Sequence, residues 1–118
     1  INALDGDPGV YSARYAGDDC QTENNIRKVL KKLELEDNRQ AKFRTIIALI
    51  IDSKETLFEG VCNGRINRKK SGDKGFGYDP IFVPDGNTIT FSEMNKEQKG
   101  IVSHRGNAVK KLVRFLNQ

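Results

Sequence analysis

The chain has 118 residues, of which 36% are hydrophobic and 31% charged, with no Trp and a formal net charge of +4. That length supports one domain at most with a modest core, and the apolar content is above that of a disordered chain. No apolar run approaches the ~18 residues a membrane span needs, and no stretch reads as a signal peptide.

The first twenty residues are rich in Gly and Asp. Asp5-Gly6-Asp7-Pro8-Gly9 reads as a tight turn, and Val10 to Ala16 as a short helix ended by Gly17. Thr22 is the expected N-cap of a longer helix. Ile26, Val29, Leu30 and Leu33 recur there at helical spacing with basic residues between them, so one stripe is buried and the basic face is solvated.

Asp37-Asn38 breaks that pattern. Phe43 to Ile51 is dense in β-branched residues and predicts a central strand, buried on both faces in its second half. Asp52 to Glu55 turns the chain, and Thr56 to Cys62 returns as an antiparallel partner. Asn63-Gly64 suggests a bulge or bend, and Arg65 to Lys70 a continuation of the strand outward. Lys69 to Gly75 is a loop. Ile81 to Val83 is a short strand closed by the turn Pro84 to Asn87. Ser103 is the N-cap of a final helix whose apolar stripe is Ala108, Val109, Leu112, Val113 and Leu116. Strands and helices alternate loosely, so the class is α/β or α+β.

The positive balance points to anionic partners such as nucleotides, or simply to a solvated surface. The lysines are scattered and no nucleic-acid motif is present, which argues against a nucleic-acid-binding domain. The single histidine, with Cys20 and Cys62 far apart, cannot supply a zinc site. The cysteines read as free thiols of a reducing cytoplasm.

Two segments carry chemistry. In the first, Gly72, Gly75 and Gly77 permit close backbone approach, Phe76 and Tyr78 straddle Gly77, and Asp79-Pro80 follows. The rings can stack on a base, and Asp79 can accept from a ring N–H; equally, both aromatics can be core residues at the mouth of a strand. In the second, Ser103 as N-cap puts His104 and Arg105 in a first helical turn, where positive charge opposes the helix dipole. A locally unfavourable choice of this kind marks a site if imidazole, guanidinium and backbone N–H groups converge on an electron-rich oxygen; otherwise it is a solvated helix start. Lys99, about one turn upstream, would add a third donor.

These motifs, in this order, resemble the inosine/xanthosine triphosphate pyrophosphatases. The matching stretches are Ala3 to Gly6 with Pro8 to Gly17, then Gly75 to Phe82, then Lys99 with Ser103 to Gly106. The resemblance covers essentially the whole chain. It implies an α/β fold with a mixed central β-sheet flanked by helices in a two-lobed architecture. It implies hydrolysis of ITP, dITP and XTP to monophosphate and pyrophosphate, Mg²⁺ as cofactor, a cytoplasmic homodimer, and no membrane or nucleic-acid partner. Phe76, Gly77, Tyr78 and Asp79 match the family segment that holds the purine, and Lys99 a substrate-contacting lysine. His104 and Arg105 match the pair that reads the 6-oxo group, whereas Ser12 and Arg14 are expected to be structural.

Family members are longer. Their acidic segment, Asp-Asp-Ser/Thr-Gly-Leu, supplies the general-base Asp and a metal carboxylate, and would lie upstream of Ile1. Residues 1–118 are therefore expected to be the C-terminal portion of a single nucleotide pyrophosphatase domain, with no catalytic or metal-binding residue of their own. That leaves open a catalytically silent nucleotide-binding fragment, or a related pyrophosphatase of another base preference. Hypoxanthine and xanthine carry an acceptor at C6 where adenine carries a donor. Donors at His104 and Arg105 would reject adenine, by roughly 10⁴-fold or more in the best-built sites. Guanine shares the 6-oxo group, so these donors alone do not exclude it.

Overall fold

The longest feature of the backbone is a hairpin. In the computed structural model, which describes residues 1–117 and Val10 by its backbone alone, β1 (Gln40–Ile51) and β2 (Lys54–Ile66) pair antiparallel from Gln40↔Arg65 to Ile51↔Lys54. The connection is two residues, Asp52 and Ser53, with φ of 51° and 66°. Positive φ at both positions gives the turn a twist that matches the flanking strands. β3 (Phe82–Pro84) joins the far end of β2, also antiparallel, through Gly64↔Pro84 and Ile66↔Phe82. The sheet order is β1-β2-β3. The α/β class holds, but both pairings are antiparallel, so the described strands lack the mixed character expected of the sheet.

Burial along β1 alternates strictly, with Ala41, Phe43, Thr45, Ile47 and Leu49 turned inward. Their partners on the same face of β2 include Phe58, Gly60, Cys62 and Gly64. The expected burial of Ile46 to Ile51 on both faces is not found: Ile46 and Ile50 are 49% and 68% exposed. Among the described strands β1 is the outer one, and the packed elements cover only its odd-numbered face. The apolar run shows hydrophobicity, but not how many sides are covered. Gly64 makes no bulge, since the register runs through it unbroken. A Cβ there would overlap the Phe82 ring and the Val83 carbonyl, so the glycine serves close approach of β3. The strand stops at Ile66 rather than continuing to Lys70.

α1 (Thr22–Lys32) buries Ile26 and Val29, and with Leu33 just beyond it they join a core containing Ala41, Ile66, Phe82 and Phe91. Gln21, not Thr22, holds the N-cap position, without a side-chain cap. The expected helix before Gly17 is the 3₁₀ turn Gly9–Arg14. The short strand near Ile81 is shifted by one residue, because Asp79–Ile81 forms a 3₁₀ turn first.

Two helices close the chain. α2 (Lys96–Val102), absent from the sequence expectations, is opened by a reciprocal cap in which Asn95 and Gln98 each bond the other's backbone N–H. α3 (His104–Leu116) begins as expected at Ser103, whose Oγ accepts from the Gly106 N–H at 3.0 Å. Only part of its expected stripe is covered. Ala108 is fully buried and Leu112 half-buried, while Val109, Val113 and Leu116 are exposed. The helix meets the hairpin along a narrow line where Gly60 leaves no room for a side chain: a Cβ there would overlap the His104 carbonyl and the Ala108 nitrogen.

Gly60→Ala is therefore expected to lower stability by about 1–3 kcal/mol, the usual range for overpacking, and urea unfolding monitored by circular dichroism checks it.

Candidate functional site

The glycine-aromatic segment forms a loop closed by its own carboxylate. Gly75 and Gly77 have φ of 80° and 58°, values that glycine adopts without strain. Asp79 is buried, and its Oδ2 accepts from the Phe76 N–H at 3.1 Å and from Lys99 Nζ at 2.5 Å. A Cβ at Gly75 would overlap that oxygen, so the loop closes only around a glycine. The pair staples the loop to α2. Oδ1 has no hydrogen-bond partner among the described residues.

The two aromatics are used differently. The Tyr78 hydroxyl donates to the Ser12 carbonyl at 2.6 Å, and burial, aided by Tyr15, pushes its pKa up to about 12. Tyr78 is thus a half-buried wall residue that ties the loop to the 3₁₀ turn Gly9–Arg14. Phe76 is 63% exposed, with Lys99 Nζ 5.1 Å and Arg105 Cζ 5.5 Å from its ring centroid. Its ring is the face available for stacking.

His104 lies on Phe43, ring centroids 4.9 Å apart and planes 21° from parallel. Its Nδ1 is buried without a hydrogen-bond partner among the described residues. Burial first, then the Arg105 and Lys99 charges, hold its pKa below the ordinary 6.5, against an opposing pull from Asp79. The imidazole is neutral at pH 7 and has one N–H to donate. Arg105 is exposed beside it.

Phe76, Gly77, Tyr78, Asp79, Lys99, His104 and Arg105, the seven residues singled out in the sequence, all line one cleft of about 700 Å³. That volume is in the range of small-molecule sites. The sequence reading missed Arg44, Lys96 and Asn25, which also line it. Lys96 had a signal, standing one helical turn before Lys99. Arg44 is paired with Glu59 at 3.0 Å on the open face of the hairpin. Asn25 had none: it is a buried clamp, accepting from the Ala16 N–H at 2.8 Å and donating to the Ala13 carbonyl at 2.9 Å.

Four Lys or Arg side chains line the cleft against one carboxylate, Asp79. The site attracts anions, stacks a planar ring and donates hydrogen bonds to it. Among the described residues no group of three or more His, Cys, Asp or Glu could hold a metal ion. The single lining carboxylate is engaged by Lys99, so a resident Mg²⁺ does not fit the described side chains of the cleft. Cys20 and Cys62 are both free thiols, Cys20 exposed at the cleft and Cys62 buried, where burial pushes its pKa up to about 11. No helix of the described residues is long and apolar enough to cross a membrane.

An α/β protein with an aromatic-floored, cation-rich cleft is the class these features define. The chain belongs to the Ham1 family, whose family model matches residues 1–115. It is 48% identical over 118 residues to the dITP/XTP pyrophosphatase of Christiangramia forsetii, covering 100% of this chain and 62% of the relative. It is 47% identical to the enzyme of that name from Oceanobacillus iheyensis, covering 99% of this chain and 61% of that one. The solved Ham1 protein of Staphylococcus aureus superposes with a TM-score of 0.94 at 44% identity, over 99% of this chain and 62% of its own. A HAM1 protein from Coxiella burnetii gives 0.93 at 38% identity, with the same coverages of 99% and 62%. The chain thus spans about 60% of the length of the curated relatives it matches.

Because His104 is the one histidine, its proton NMR titration is unambiguous, and its midpoint is expected below 6.5. The unfolded chain then binds the proton more readily than the folded one. This contribution to stability is complete above about pH 6.5 and is lost as pH falls through the lower folded midpoint. His104→Asn should remove that part of the acid-side slope in stability measured by denaturant unfolding.

Proposed function

We propose that residues 1–118 are the base-recognising, C-terminal portion of a single nucleoside triphosphate pyrophosphatase domain. The reaction is a deaminated purine nucleoside triphosphate plus water to the monophosphate and pyrophosphate, with ITP, dITP and XTP as substrates. The observation that carries this reading is the convergence of Phe76, Lys99, His104 and Arg105 on one cleft. The base stacks on Phe76, while His104 and Arg105 donate to the 6-oxo group. Adenine brings an amino donor to the same donors and leaves buried polar groups unpaired. Lys96 gives the cleft positive charge of the kind a phosphate chain requires, while Arg44 shares its charge with Glu59. The names and similarity of the relatives support the same reading.

Hydrolysis between the α- and β-phosphates calls for neutralised charge and an activated water, which Mg²⁺ would supply. The described residues do not form its donor set, so no step is assigned through it. That same observation favours a second reading for these residues taken alone: nucleotide binding without turnover. Family membership supports a cytoplasmic homodimer as the working assembly, which sedimentation of the full-length polypeptide would check.

Pyrophosphate release from ITP and ATP with Mg²⁺ tests the main reading. The native full-length polypeptide should act on ITP and spare ATP, while the isolated 118 residues bind IMP without turnover. Turnover of ATP at the ITP rate would reject it. Phe76→Ala should weaken IMP binding by roughly 1–3 kcal/mol, the scale of a lost base–aromatic stack, as read by calorimetric titration.

A further inference from the structure

We infer that the Asp79–Lys99 pair reads the substituent at position 2 of the purine, and that Lys99 is the residue that turns guanine away. The inference rests on the proposed reading of the cleft as a site for 6-oxopurine nucleotides. Hypoxanthine, xanthine and guanine share the 6-oxo group and the N1–H, so donors at His104 and Arg105 treat them alike. They differ at position 2, which is a hydrogen, an oxygen acceptor and an amino donor respectively.

Guanine places two donors side by side, N1–H and the 2-amino group. A free carboxylate accepts both at once through its two oxygens. A cleft with an open carboxylate would therefore favour guanine. Asp79 is the one carboxylate lining this cleft, and it is half closed. Its Oδ2 is held by Lys99 Nζ at 2.5 Å and by the Phe76 N–H at 3.1 Å. Oδ1 alone is left to accept, enough for the N1–H that every 6-oxopurine carries.

Lys99 completes the discrimination. An ammonium has three donors and no acceptor. It can donate to the 2-oxo group of xanthine, makes no demand of the C2 hydrogen of hypoxanthine, and meets the amino group of guanine donor to donor. Its Nζ lies 5.1 Å from the Phe76 centroid, so a base laid against that ring brings an edge to it. The side chains of Lys99 and Asp79 are only 25% and 5% exposed, so little water is at hand to relieve the mismatch.

The test is equilibrium binding of IMP, XMP, GMP and AMP to the native full-length polypeptide and to three variants. In Lys99→Met the carboxylate is freed, and the GMP-to-IMP affinity ratio should rise by roughly tenfold or more, while the XMP-to-IMP ratio falls. Lys99→Arg keeps the charge and should keep rejecting GMP. The double variant Asp79→Asn with Lys99→Met should lose the gain for GMP while the XMP-to-IMP ratio stays low. It strands no carboxylate, so if Lys99→Met alone fails to fold, its XMP-to-IMP ratio still decides. Parallel loss of IMP, XMP and GMP, with the ratios unchanged, overturns the inference while the preference of the unsubstituted protein for IMP over AMP leaves the parent reading standing. An unsubstituted protein that binds AMP as well as IMP overturns both.

Discussion

One buried carboxylate organises the cleft of this chain. Asp79 closes the Gly75–Asp79 loop by taking the Phe76 N–H, and its ion pair with Lys99 fastens that loop to α2. α3 starts directly after α2, at Ser103, so the same contact sets the loop against the turn that carries His104 and Arg105. A buried pair is weak as a net stabiliser, but removing one partner strands a charge at about 3–5 kcal/mol. The geometry of the cleft and the local stability of its walls therefore depend on one interaction, which stands inside the cleft itself. Gly75 is part of it, since any side chain there would occupy the space of the carboxylate oxygen.

The remaining walls are supplied from far along the chain. Tyr78 reaches back to the Ser12 carbonyl, 66 residues away. Asn25 in α1 then holds the turn that follows Ser12, through Ala13 and Ala16. On the other side the hairpin presents Phe43 beneath the His104 ring, and Gly60 lets the first turn of α3 rest directly on β2. The imidazole is thus half-buried between an aromatic ring and neighbouring cations, which keeps it neutral and a donor rather than a further positive charge. The result is a cleft rich in cations and donors, lined by four Lys or Arg side chains and one carboxylate, and no group of three or more His, Cys, Asp or Glu among the described residues could hold a metal ion.

Much of this was legible in the residues. The β-branched run from Phe43, the Asp52-Ser53 turn and the stripe of α1 follow from local preference. The Ser103 cap follows from side-chain chemistry acting within one turn. The residues that line the cleft were legible because glycines, aromatics and helix-start cations stand together in two short segments. α2 escaped notice because its seven residues carry no apolar periodicity, although the Asn95–Gln98 box announced its start. The stripe of α3 was overdrawn, since hydrophobicity at Val109, Val113 and Leu116 does not say whether anything covers them.

The sequence by itself determined the two hairpin strands, α1, α3 and which side chains have chemistry to offer, because these depend on groups a few residues apart. The tertiary structure decided what each group is free to do. It made Phe76 the open ring and Tyr78 the tethered one, left Asp79 one oxygen instead of two, and turned Gly64 from an expected bulge or bend into a point of contact with β3. Those outcomes depend on atoms dozens of residues apart meeting within hydrogen-bond or van der Waals distance, and no local pattern carries that information.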